Sequence, residues 1–483
     1  MRECAVGVDV GTQGVRVVVV GTDGSVVAEA SRAFGPDCEV HLPPPMSEQR
    51  PEAWWTATAE CLRQALSATP AAAVAAVSVD STSGTFLPID RAGTPLRPAI
   101  MYNDGRADED LTAEVQDAGA ELQRKLGYRF PPTFSLPKMV WLVRNEPEVV
   151  ARAWKLVHAA DWIVGKLCGR FDVTDISNCL KSGIDLVDVR WPSFIEDRLG
   201  VPLGKLPDVV MPGEPLGRVT ATASRETGLA EGTGIVAGAS DGTASFIASG
   251  ACAPGDWNST LGTTLAMRGV SEGLLTDPLG RYYSHRHPDG HWLPGGASNV
   301  GGECLALLFA GRDLPELDRA AEALLPTRLV VYPLVRRGER APFVSSSAEG
   351  FVLGQPSSEE ELYAAYLEGV ALVERWCYDS LRDLGARVVG PVRATGGGSA
   401  SDVWLRIRAS ALETPLIVPR VSGAAMGAAI LAASRTLFGG LAEAGASMVR
   451  VARSVEPDRR LAPSLADRTA KLKAECAARG YRA

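Results

Sequence analysis

Two similar strand–turn–strand patterns, about 250 residues apart, constrain the fold of this chain more than any other feature. The first is AVGVDVGTQGVRVVVV (5–20), and the second is DWNSTLGTTLAMRG (256–269). In each, two apolar strands flank a turn that contains Gly-Thr. Glycine has no Cβ and adopts conformations that other residues avoid, so such a turn lets backbone N–H groups approach a phosphate closely. Two copies predict two duplicated halves that face each other across one nucleotide, which indicates phosphoryl transfer.

The first turn differs from the phosphate loops that begin a helix. A Rossmann or Walker A loop must lead into a helix, whereas a valine-rich strand follows here, then GTDG and a third alternating stretch. This order predicts a three-stranded meander. Asp9 ends the first strand, where a carboxylate could bind Mg²⁺, and Thr12, Gln13 and Arg16 would project toward the phosphates. An ordinary tight hairpin would also explain the first turn taken alone.

Composition narrows the class of protein. A length of 483 residues predicts two or three domains. The apolar content of 46% and charged content of 22% are typical of a soluble globular protein. With a net charge of −8 and no dense Lys/Arg block, neither nucleic acid nor a membrane is an expected partner. The nine scattered cysteines indicate a reducing compartment, and MRECAVGVDV lacks the apolar run of a signal peptide, so we expect a cytoplasmic protein.

Strand and helix patterns alternate in both halves of the chain. Helical periodicity predicts helices over the ranges 107–126, 136–150, 153–168 and 359–384. The segment 170–192 is turn-rich and polar, and we interpret it as a substrate-side insertion rather than core. A domain boundary is placed after residue 243, in the small-residue helix that follows a buried strand. The pattern is typical of two α/β lobes, with mixed sheets flanked by helices and the ligand between them.

Asp241 is the best candidate for a general base. It follows the apolar run IVAGAS and is flanked by small residues, so its carboxylate could meet a ligand with little obstruction. A phosphoryl acceptor hydroxyl needs a group that takes its proton as the P–O bond forms. A helix N-cap explains an aspartate at this position equally well.

Two further segments suit the binding of a nucleotide and a sugar. The loop TGGGSAS (395–401) could let adenine or ribose lie against its backbone, with a helix start facing a phosphate; a plain strand-to-helix connector is an equally good explanation. In MYNDGR, Tyr102 suits the apolar face of a sugar and the polar residues after it suit sugar hydroxyls. The alternative is a helix start with Asp104 as its cap.

Taken together, the ordered motifs resemble the FGGY family of carbohydrate kinases over essentially residues 4–440. The motifs are VGVDVGTQGVR, PAIMYNDGRA, GASDGTAS, STLGTTLA, GGASNVGGECL and TGGGSASDVWLRIRASALETPLIVP. The resemblance implies an actin-like ATPase fold of two ribonuclease H-like lobes around a central cleft. The sugar-binding lobe would be 1–243, and the nucleotide-binding lobe with the C-terminal helices would be 244–483. ATP and Mg²⁺ are the implied cofactors, and a homodimer is one possible assembly.

The resemblance also implies roles for individual residues. Asp241 would deprotonate the sugar hydroxyl, and Asp9 would act on Mg²⁺. The implied substrate-binding residues are Ser83, Asp104 and Asp241, with Thr82 and Lys181 as further candidates. The implied nucleotide contacts are Gly11, Thr12, Gln13, Gly262, Thr263, Thr264, Gly296, Gly397, Gly398 and Ser401.

The sugar is predicted from the residues that differ within the family. Ser83 stands where xylulokinases have His and glycerol kinases have Arg, which argues against both. The pattern of Asn178, Leu180 and Lys181 is similar to that of D-ribulose kinases from cyanobacteria and plants. We therefore predict ATP-dependent phosphorylation of a ketopentose, D-ribulose to D-ribulose 5-phosphate. The alternatives are a D-xylulose or other polyol kinase of the same family and, in a different class, an actin-like ATP-gated binding protein without kinase activity.

Overall fold

The structure, a computed structural model, describes residues 3–67 and 69–482, which divide into two compact units. Unit 1 comprises the described residues of Met1–Ala248, His285–Gly290 and Val421–Val449. Unit 2 comprises Ser249–Ser284, His291–Arg420 and the described residues of Arg450–Ala483. The boundary that we placed after residue 243 stays a prediction.

The two units contain both strands and helices. The strands are β1 (Cys4–Val10), β2 (Gly14–Gly21), β3 (Val26–Ala33), β4 (Glu39–Val40), β5 (Glu48–Gln49), β6 (Val74–Ser81), β7 (Phe86–Ile89), β8 (Ala99–Ile100), β9 (Lys155–His158), β10 (Val173–Asp175), β11 (Asp208–Val210), β12 (Pro215–Arg218), β13 (Gly234–Val236), β14 (Trp257–Leu261), β15 (Leu265–Gly269), β16 (Tyr283–Arg286), β17 (Trp292–Ser298), β18 (Val330–Tyr332), β19 (Phe351–Leu353), β20 (Val392–Thr395), β21 (Leu416–Pro419) and β22 (Val451–Val455). The helices are α1 (Pro51–Leu66), α2 (Glu109–Ala118), α3 (Ala120–Leu126), α4 (Ser135–Asn145), α5 (Pro147–Arg152), α6 (Ala159–Cys168), α7 (Ile176–Cys179), α8 (Phe194–Asp197), α9 (Ala221–Thr227), α10 (Asp241–Ala248), α11 (Glu303–Leu308), α12 (Leu314–Glu322), α13 (Glu359–Asp383), α14 (Asp402–Leu412), α15 (Ala424–Ser434), α16 (Leu441–Met448) and α17 (Ala462–Ala478). No helix in the described part of the chain is long and apolar enough to cross a membrane.

Unit 1 is built on a six-stranded sheet in the order β12-β13-β6-β1-β2-β3. The strands β1, β2 and β3 pair antiparallel in succession, which confirms the predicted meander. On the other side, β1 pairs with β6 and β6 with β13, both in parallel. The register places Asp9 of β1 opposite Asp80 of β6. A smaller five-stranded sheet, β4-β5-β8-β7-β9, lies in the same unit.

The seven-stranded sheet of unit 2 repeats this arrangement. Its order is β16-β17-β15-β14-β20-β21-β22. The strands β14, β15 and β17 form an antiparallel meander, β14 pairs in parallel with β20 and β20 with β21, and β22 closes the edge antiparallel. Apart from β16, the spatial order and the directions of these strands match those of unit 1, although β22 follows β21 in the chain whereas β12 precedes β13. The repeated arrangement agrees with two duplicated halves, and a nucleotide between them stays a prediction.

Three helix predictions needed correction. The helix expected over 153–168 is wrong in its first part, because Lys155–His158 forms β9 and pairs antiparallel with β7. The strand forms because it pairs with a partner strand that is distant in sequence, and the helical spacing of apolar residues gives no information about that partner. The helix expected over 107–126 is divided at Gly119 into α2 and α3, and the one over 136–150 is divided between α4 and α5, where Pro147 begins the second helix.

The interpretation of segment 170–192 as lying outside the core is wrong for most of residues 173–186. Apart from Lys181, residues 173–186 are buried, and they form β10, α7 and a short 3₁₀ turn. Asp175 caps α7, and the hydroxyl groups of Thr174 and Ser182 form hydrogen bonds with the buried His158. The polarity of these residues thus reflects an internal hydrogen-bond network.

Helix α15 packs into the middle of unit 1, and every one of its residues is buried. A Cβ placed at Gly7 of β1 would lie 1.8 Å from the carbonyl oxygen of Ala425. A Cβ placed at Gly427 would lie 1.8 Å from the carbonyl oxygen of Ala244 in α10. Only glycine permits backbones to approach this closely. The helix that begins with Asp241 is therefore held against the sheet through α15.

Candidate active site

A cavity of about 410 Å³ in unit 1 brings together several residues that the sequence had singled out. Asp9, Thr12, Ser83, Lys181 and Asp241 all contribute to its lining. These residues come from distant parts of the sequence, and the cavity has the size of a small-molecule site. Two aspartates and a lysine therefore border the same space.

The first glycine turn is held from both sides. Gly11 N donates to the Gly14 carbonyl oxygen at 2.9 Å, closing the turn between β1 and β2. The carbonyl oxygen of Thr12 accepts from Gln49 Nε2 at 2.8 Å, and that of Gln13 accepts from Phe34 N at 2.9 Å. A second cavity of about 650 Å³ is lined by Gly11, Thr12 and Gln13 as well as by Asp9. The turn is thus a fixed element that borders open space.

Three acidic side chains influence one another beside this turn. Burial raises the pKa of Asp9, and the negative charge of Asp241 adds to that rise, while the neighbouring carboxyl group of Asp80 and the charge of Arg16 oppose it. Asp80 is fully buried, and burial raises its pKa well above the ordinary value, with further rises from Asp9 and Asp241. A neutral Asp80 avoids placing two negative charges side by side. Of the two carboxyl groups, that of Asp9 belongs to a residue lining the cavity, whereas Asp80 lies behind the wall.

Asp241 occupies the first position of α10. The preceding residue, Ser240, provides the carbonyl oxygen that accepts from Thr243 N at 2.9 Å and Ala244 N at 2.8 Å. The Asp241 Oδ1 accepts from the N–H of its neighbour Gly242 at 2.7 Å. An N-cap side chain instead bonds the N–H two or three positions on. The helix begins at Asp241 itself, whereas an N-cap residue lies one position before the helix, and Asp241 contributes to the cavity lining.

Ser83 reaches the cavity through a glycine turn after β6. Lys181 Nζ donates to the Ser83 carbonyl oxygen at 2.8 Å. Gly84 has a φ of +97°, a conformation that L side chains rarely adopt. A Cβ at Gly84 would meet Lys181 Cδ at 3.0 Å and the Thr133 carbonyl oxygen at 3.3 Å. The turn and the lysine thus fit closely together at the cavity wall.

Tyr102 also lines the cavity, and a buried lysine lies behind it. Lys138 is 0% exposed, and its Nζ donates to the carbonyl oxygens of Met101 at 2.7 Å and Tyr102 at 3.0 Å, with Thr133 at 3.4 Å. Burial lowers the pKa of Lys138 to about 7. The lysine fixes the backbone that carries Tyr102 at the cavity.

Asp104 is placed differently from the other predicted substrate-binding residues. It is buried, with its carboxylate bonded to Arg106 Nε at 2.8 Å, Arg106 Nη2 at 2.8 Å and Ser47 N at 2.6 Å. Although burial alone would raise it, these hydrogen bonds hold the pKa of Asp104 below its ordinary value. Asp104 does not cap α2, because Asp108 does so through Leu111 N. Its contact with substrate stays a prediction.

In unit 2 the second Gly-Thr turn connects β14 to β15. Gly262 N donates to the Thr264 carbonyl oxygen at 3.0 Å. Gly302 N donates to the Gly262 carbonyl oxygen at 2.7 Å and Glu303 N to that of Thr263 at 3.2 Å. A Cβ at Gly262 would meet nothing within 4 Å, and Thr263 is exposed. This turn is therefore anchored on one side and open on the other.

The glycine-rich loop lies beside that turn, because β14 and β20 are adjacent parallel strands whose carboxyl ends meet at one edge. A Cβ at Gly397 would meet open space, whereas one at Gly398 would lie 2.5 Å from Leu261 Cδ2. At Gly296, a Cβ would lie 2.6 Å from the Arg281 carbonyl oxygen. A side chain at position 398 or 296 would clash with neighbouring atoms, so packing explains why both residues are glycine. The roles of these glycines toward a nucleotide stay predictions.

Ser401 ends the glycine-rich loop. Its hydroxyl oxygen accepts from Trp404 N at 3.1 Å, so it is the N-cap of α14. An N-cap satisfies one of the N–H groups that the first turn of a helix leaves without a partner. The structure therefore gives Ser401 a structural role, and its predicted contact with the nucleotide remains untested.

Sequence reasoning missed several residues of the site. Ser245 and Ala424 line the cavity, and Asp80 and Lys138 lie behind its walls. A signal existed for Asp80, since a lone acid within the apolar strand VSVDS is unusual. Lys138 lies among apolar residues in SLPKMVW, but its partners are distant in sequence, so its role could not be predicted.

Comparison with known proteins identifies the chain. Residues 4–248 match the N-terminal domain of the FGGY family of carbohydrate kinases, and residues 257–435 match the C-terminal domain of that family. The chain belongs to the FGGY family. The resemblance drawn from the motifs is thereby confirmed, and this FGGY protein is an ATP-dependent sugar kinase.

Relatives of this FGGY kinase cover nearly its whole length. It is 25% identical to the xylulose kinase of Bacillus subtilis (strain 168), over 94% of this chain and 92% of that one. It is 26% identical to the gluconokinase of Bacillus licheniformis, over 89% of this chain and 87% of that one. The crystal structure of the xylulose kinase from Rhodospirillum rubrum superposes with a TM-score of 0.86 at 27% identity, covering 98% of both chains. These comparisons confirm the predicted two-domain, actin-like ATPase fold.

Proposed function

We propose that this FGGY kinase phosphorylates a ketopentose, D-ribulose, at its terminal hydroxyl to give D-ribulose 5-phosphate. The observation that carries the proposal is the cavity of unit 1, where Asp241, Ser83 and Lys181 line one space. Asp241 supplies a carboxylate for the hydroxyl that reacts. Ser83 and Lys181 supply polar groups for the remaining hydroxyls, and Tyr102 offers an aromatic face to the carbon chain.

In the proposed reaction, the hydroxyl oxygen of the sugar attacks the γ-phosphorus of ATP. The new O–P bond forms as the bond from that phosphorus to the bridging oxygen breaks, and ADP leaves with the bond electrons. Asp241 accepts the hydroxyl proton during this step, which general-base catalysis typically accelerates by about 10²–10⁴-fold. The raised pKa of the buried Asp80 limits the negative charge near Asp241.

The residues beside Asp241 also suit Mg²⁺. This ion usually takes one or two protein carboxylates and completes its shell with phosphate oxygens and water. Asp9 presents a carboxylate to the open space of the cavity. Within residues 3–67 and 69–482, no group of three or more His, Cys, Asp or Glu residues that could hold a metal ion occurs. We propose that Asp9 holds Mg²⁺, which would neutralise phosphate charge when bound.

Contacts with ATP are proposed for each unit separately. In unit 1 they are Gly11, Thr12 and Gln13, whose turn is fixed by hydrogen bonds to its carbonyl oxygens. In unit 2 they are the residues of the two loops at the carboxyl ends of β14 and β20, namely Gly262, Thr263, Thr264, Gly397, Gly398 and Ser401, together with Gly296 on β17. Glycines at 262 and 397, whose Cβ positions are open, support close approach of a ligand to the backbone.

D-Xylulose is the second candidate substrate. It is favoured by the relatives and solved structures that are named xylulose kinases. The two pentuloses differ in configuration at one carbon, so the polar groups at Ser83 and Lys181 are the ones that would distinguish them.

The substrate is tested by product analysis. The purified enzyme is incubated with ATP and, separately, with D-ribulose, D-xylulose, L-ribulose, glycerol and gluconate, and the phosphorylated products are measured by mass spectrometry. We expect the highest kcat/KM with D-ribulose. Efficient turnover of D-xylulose with none of D-ribulose would replace the first candidate by the second, and a preference for gluconate would exclude both pentuloses.

The role of Asp241 is tested with Asp241→Asn. We expect kcat to fall by about 10²–10⁴-fold while ATP binding, measured by calorimetry, is retained. The matched control is Asp117→Asn, because the Asp117 side chain is 78% exposed; its kcat should equal that of wild type. An Asp241→Asn enzyme with wild-type turnover would exclude a general base at this position.

A further inference from the structure

The backbone just before Asp241 is held by a side chain from a distant segment. β13 ends at Val236, and the chain continues to Ser240, which is 3% exposed. Ser240 N donates to the Ser177 hydroxyl oxygen at 2.7 Å, and the two residues are 63 positions apart in sequence. Since Ser240 also supplies the first carbonyl oxygen of α10, its position determines where Asp241 begins that helix.

The Ser177 hydroxyl is itself oriented by Asp175. Ser177 is 1% exposed, and its Oγ donates to Asp175 Oδ1 at 2.6 Å. A backbone N–H can only donate, so the hydroxyl accepts from Ser240 and must give its single proton to Asp175. The order of the bonds is therefore fixed, from the Ser240 N–H through the Ser177 hydroxyl to the Asp175 carboxylate.

Asp175 is the anchor of this chain of bonds. It is 4% exposed and caps α7, accepting from Ser177 N at 2.9 Å and Asn178 N at 3.0 Å. Its Oδ2 also accepts from Asn178 Nδ2 at 2.5 Å. A carboxylate with this many donors has little freedom to rotate, so the Ser177 hydroxyl has a fixed acceptor.

We propose that Ser177, oriented by Asp175, is a positioning residue for Asp241. The proposal rests on the proposed function, in which Asp241 is the general base. Ser177 is buried and is not among the residues that line the cavity, so it acts by holding the peptide that precedes Asp241. Small displacements of a reacting group lower rates strongly, about 10²-fold for about 1 Å. The hydrogen bond from Ser240 thus sets the distance from the carboxylate to the hydroxyl whose proton it takes.

The test is Ser177→Ala, which removes the acceptor for Ser240 N. We expect kcat to fall about 10- to 100-fold while the KM values for sugar and ATP stay within about twofold of wild type. The matched control is Ser434→Ala, because Ser434 is also buried and its hydroxyl donates to the Leu431 carbonyl oxygen at 2.8 Å within α15. The control should keep wild-type kcat. A wild-type kcat in Ser177→Ala, or a fall no larger than the loss of folded protein, overturns the proposal.

Two further variants separate positioning from other effects. Ser177→Cys fills the same space with a weaker hydrogen-bonding group, so its kcat should lie between those of wild type and Ser177→Ala. If the alanine variant does not fold, the cysteine variant replaces it in the test, and a wild-type kcat in the cysteine variant then counts against the proposal. In the Asp241→Asn background, Ser177→Ala should lower the residual rate by less than twofold, because the effect passes through the lost carboxylate. A full 10-fold further loss there refutes positioning of Asp241. Wild-type turnover in Asp241→Asn alone overturns the base role instead.

Discussion

The contact between α10 and α15 allows a quantitative prediction for Gly427→Ala. The new Cβ would lie 1.8 Å from the Ala244 carbonyl oxygen and 2.4 Å from its carbonyl carbon. Ordinary contact begins at about 3.4 Å, so the two helices must separate by about 1.6 Å. The carbonyl oxygen and carbon of Ala244 cannot rotate away, because both belong to the backbone of α10.

The expected destabilisation follows from two opposing effects. Overpacking a core typically costs about 1–3 kcal/mol, and a clash between backbones falls at the upper end of that range, about 3 kcal/mol. Alanine is about 1 kcal/mol more favourable than glycine within a helix. The net loss of unfolding free energy is therefore about 2 kcal/mol. Because α10 begins with Asp241, its displacement should also lower kcat about 10-fold or more.

The assay is urea denaturation followed by circular dichroism, combined with steady-state kinetics of the same preparations. The control is Gly35→Ala, where a Cβ meets nothing within 4 Å; its stability should lie within about 0.5 kcal/mol of wild type. A Gly427→Ala enzyme with the stability and kcat of wild type would refute the argument that this glycine is required by the helix contact.

Two other predictions concern the stability of each unit. Burial lowers the pKa of Lys138 from 10.5 to about 7, so between these pH values the unfolded chain binds more protons than the folded protein. The unfolding free energy of wild type relative to Lys138→Met should therefore rise by up to about 1.4 kcal/mol per pH unit from about pH 7.5 to 9.5. A difference between the two proteins that does not change with pH would contradict this prediction. Ser401→Ala removes the N-cap of α14 and should lower the unfolding free energy by about 1 kcal/mol in urea titrations; unchanged stability would show that the cap contributes nothing.

Local patterns in the sequence were enough to predict the strand meander of unit 1, the long helix α13 and the two Gly-Thr turns. The hydrogen bonds and backbone conformations of these elements involve residues close in sequence. The alternation of apolar residues and the positions of the glycines therefore predict them. The same holds for the position of Asp241 at the start of a small-residue helix, where a strand pattern gives way to a helical one. Its arrival at a cavity with Asp9 and Ser83 agrees with the motif-based expectation.

Other features depend on contacts between residues that are far apart in the sequence, and local patterns do not predict such contacts. The residues Lys155–His158 became a strand because β7 lay beside them, and Asp104 became half of a buried ion pair because Arg106 and Ser47 could reach it. The buried Lys138 and the bond from Ser240 to Ser177 likewise join segments far apart in the chain. Sequence determined which residues could form elements and carry charge; the tertiary structure decided which charges were buried and which backbones were held, because desolvation and long-range hydrogen bonds exist only once distant segments meet.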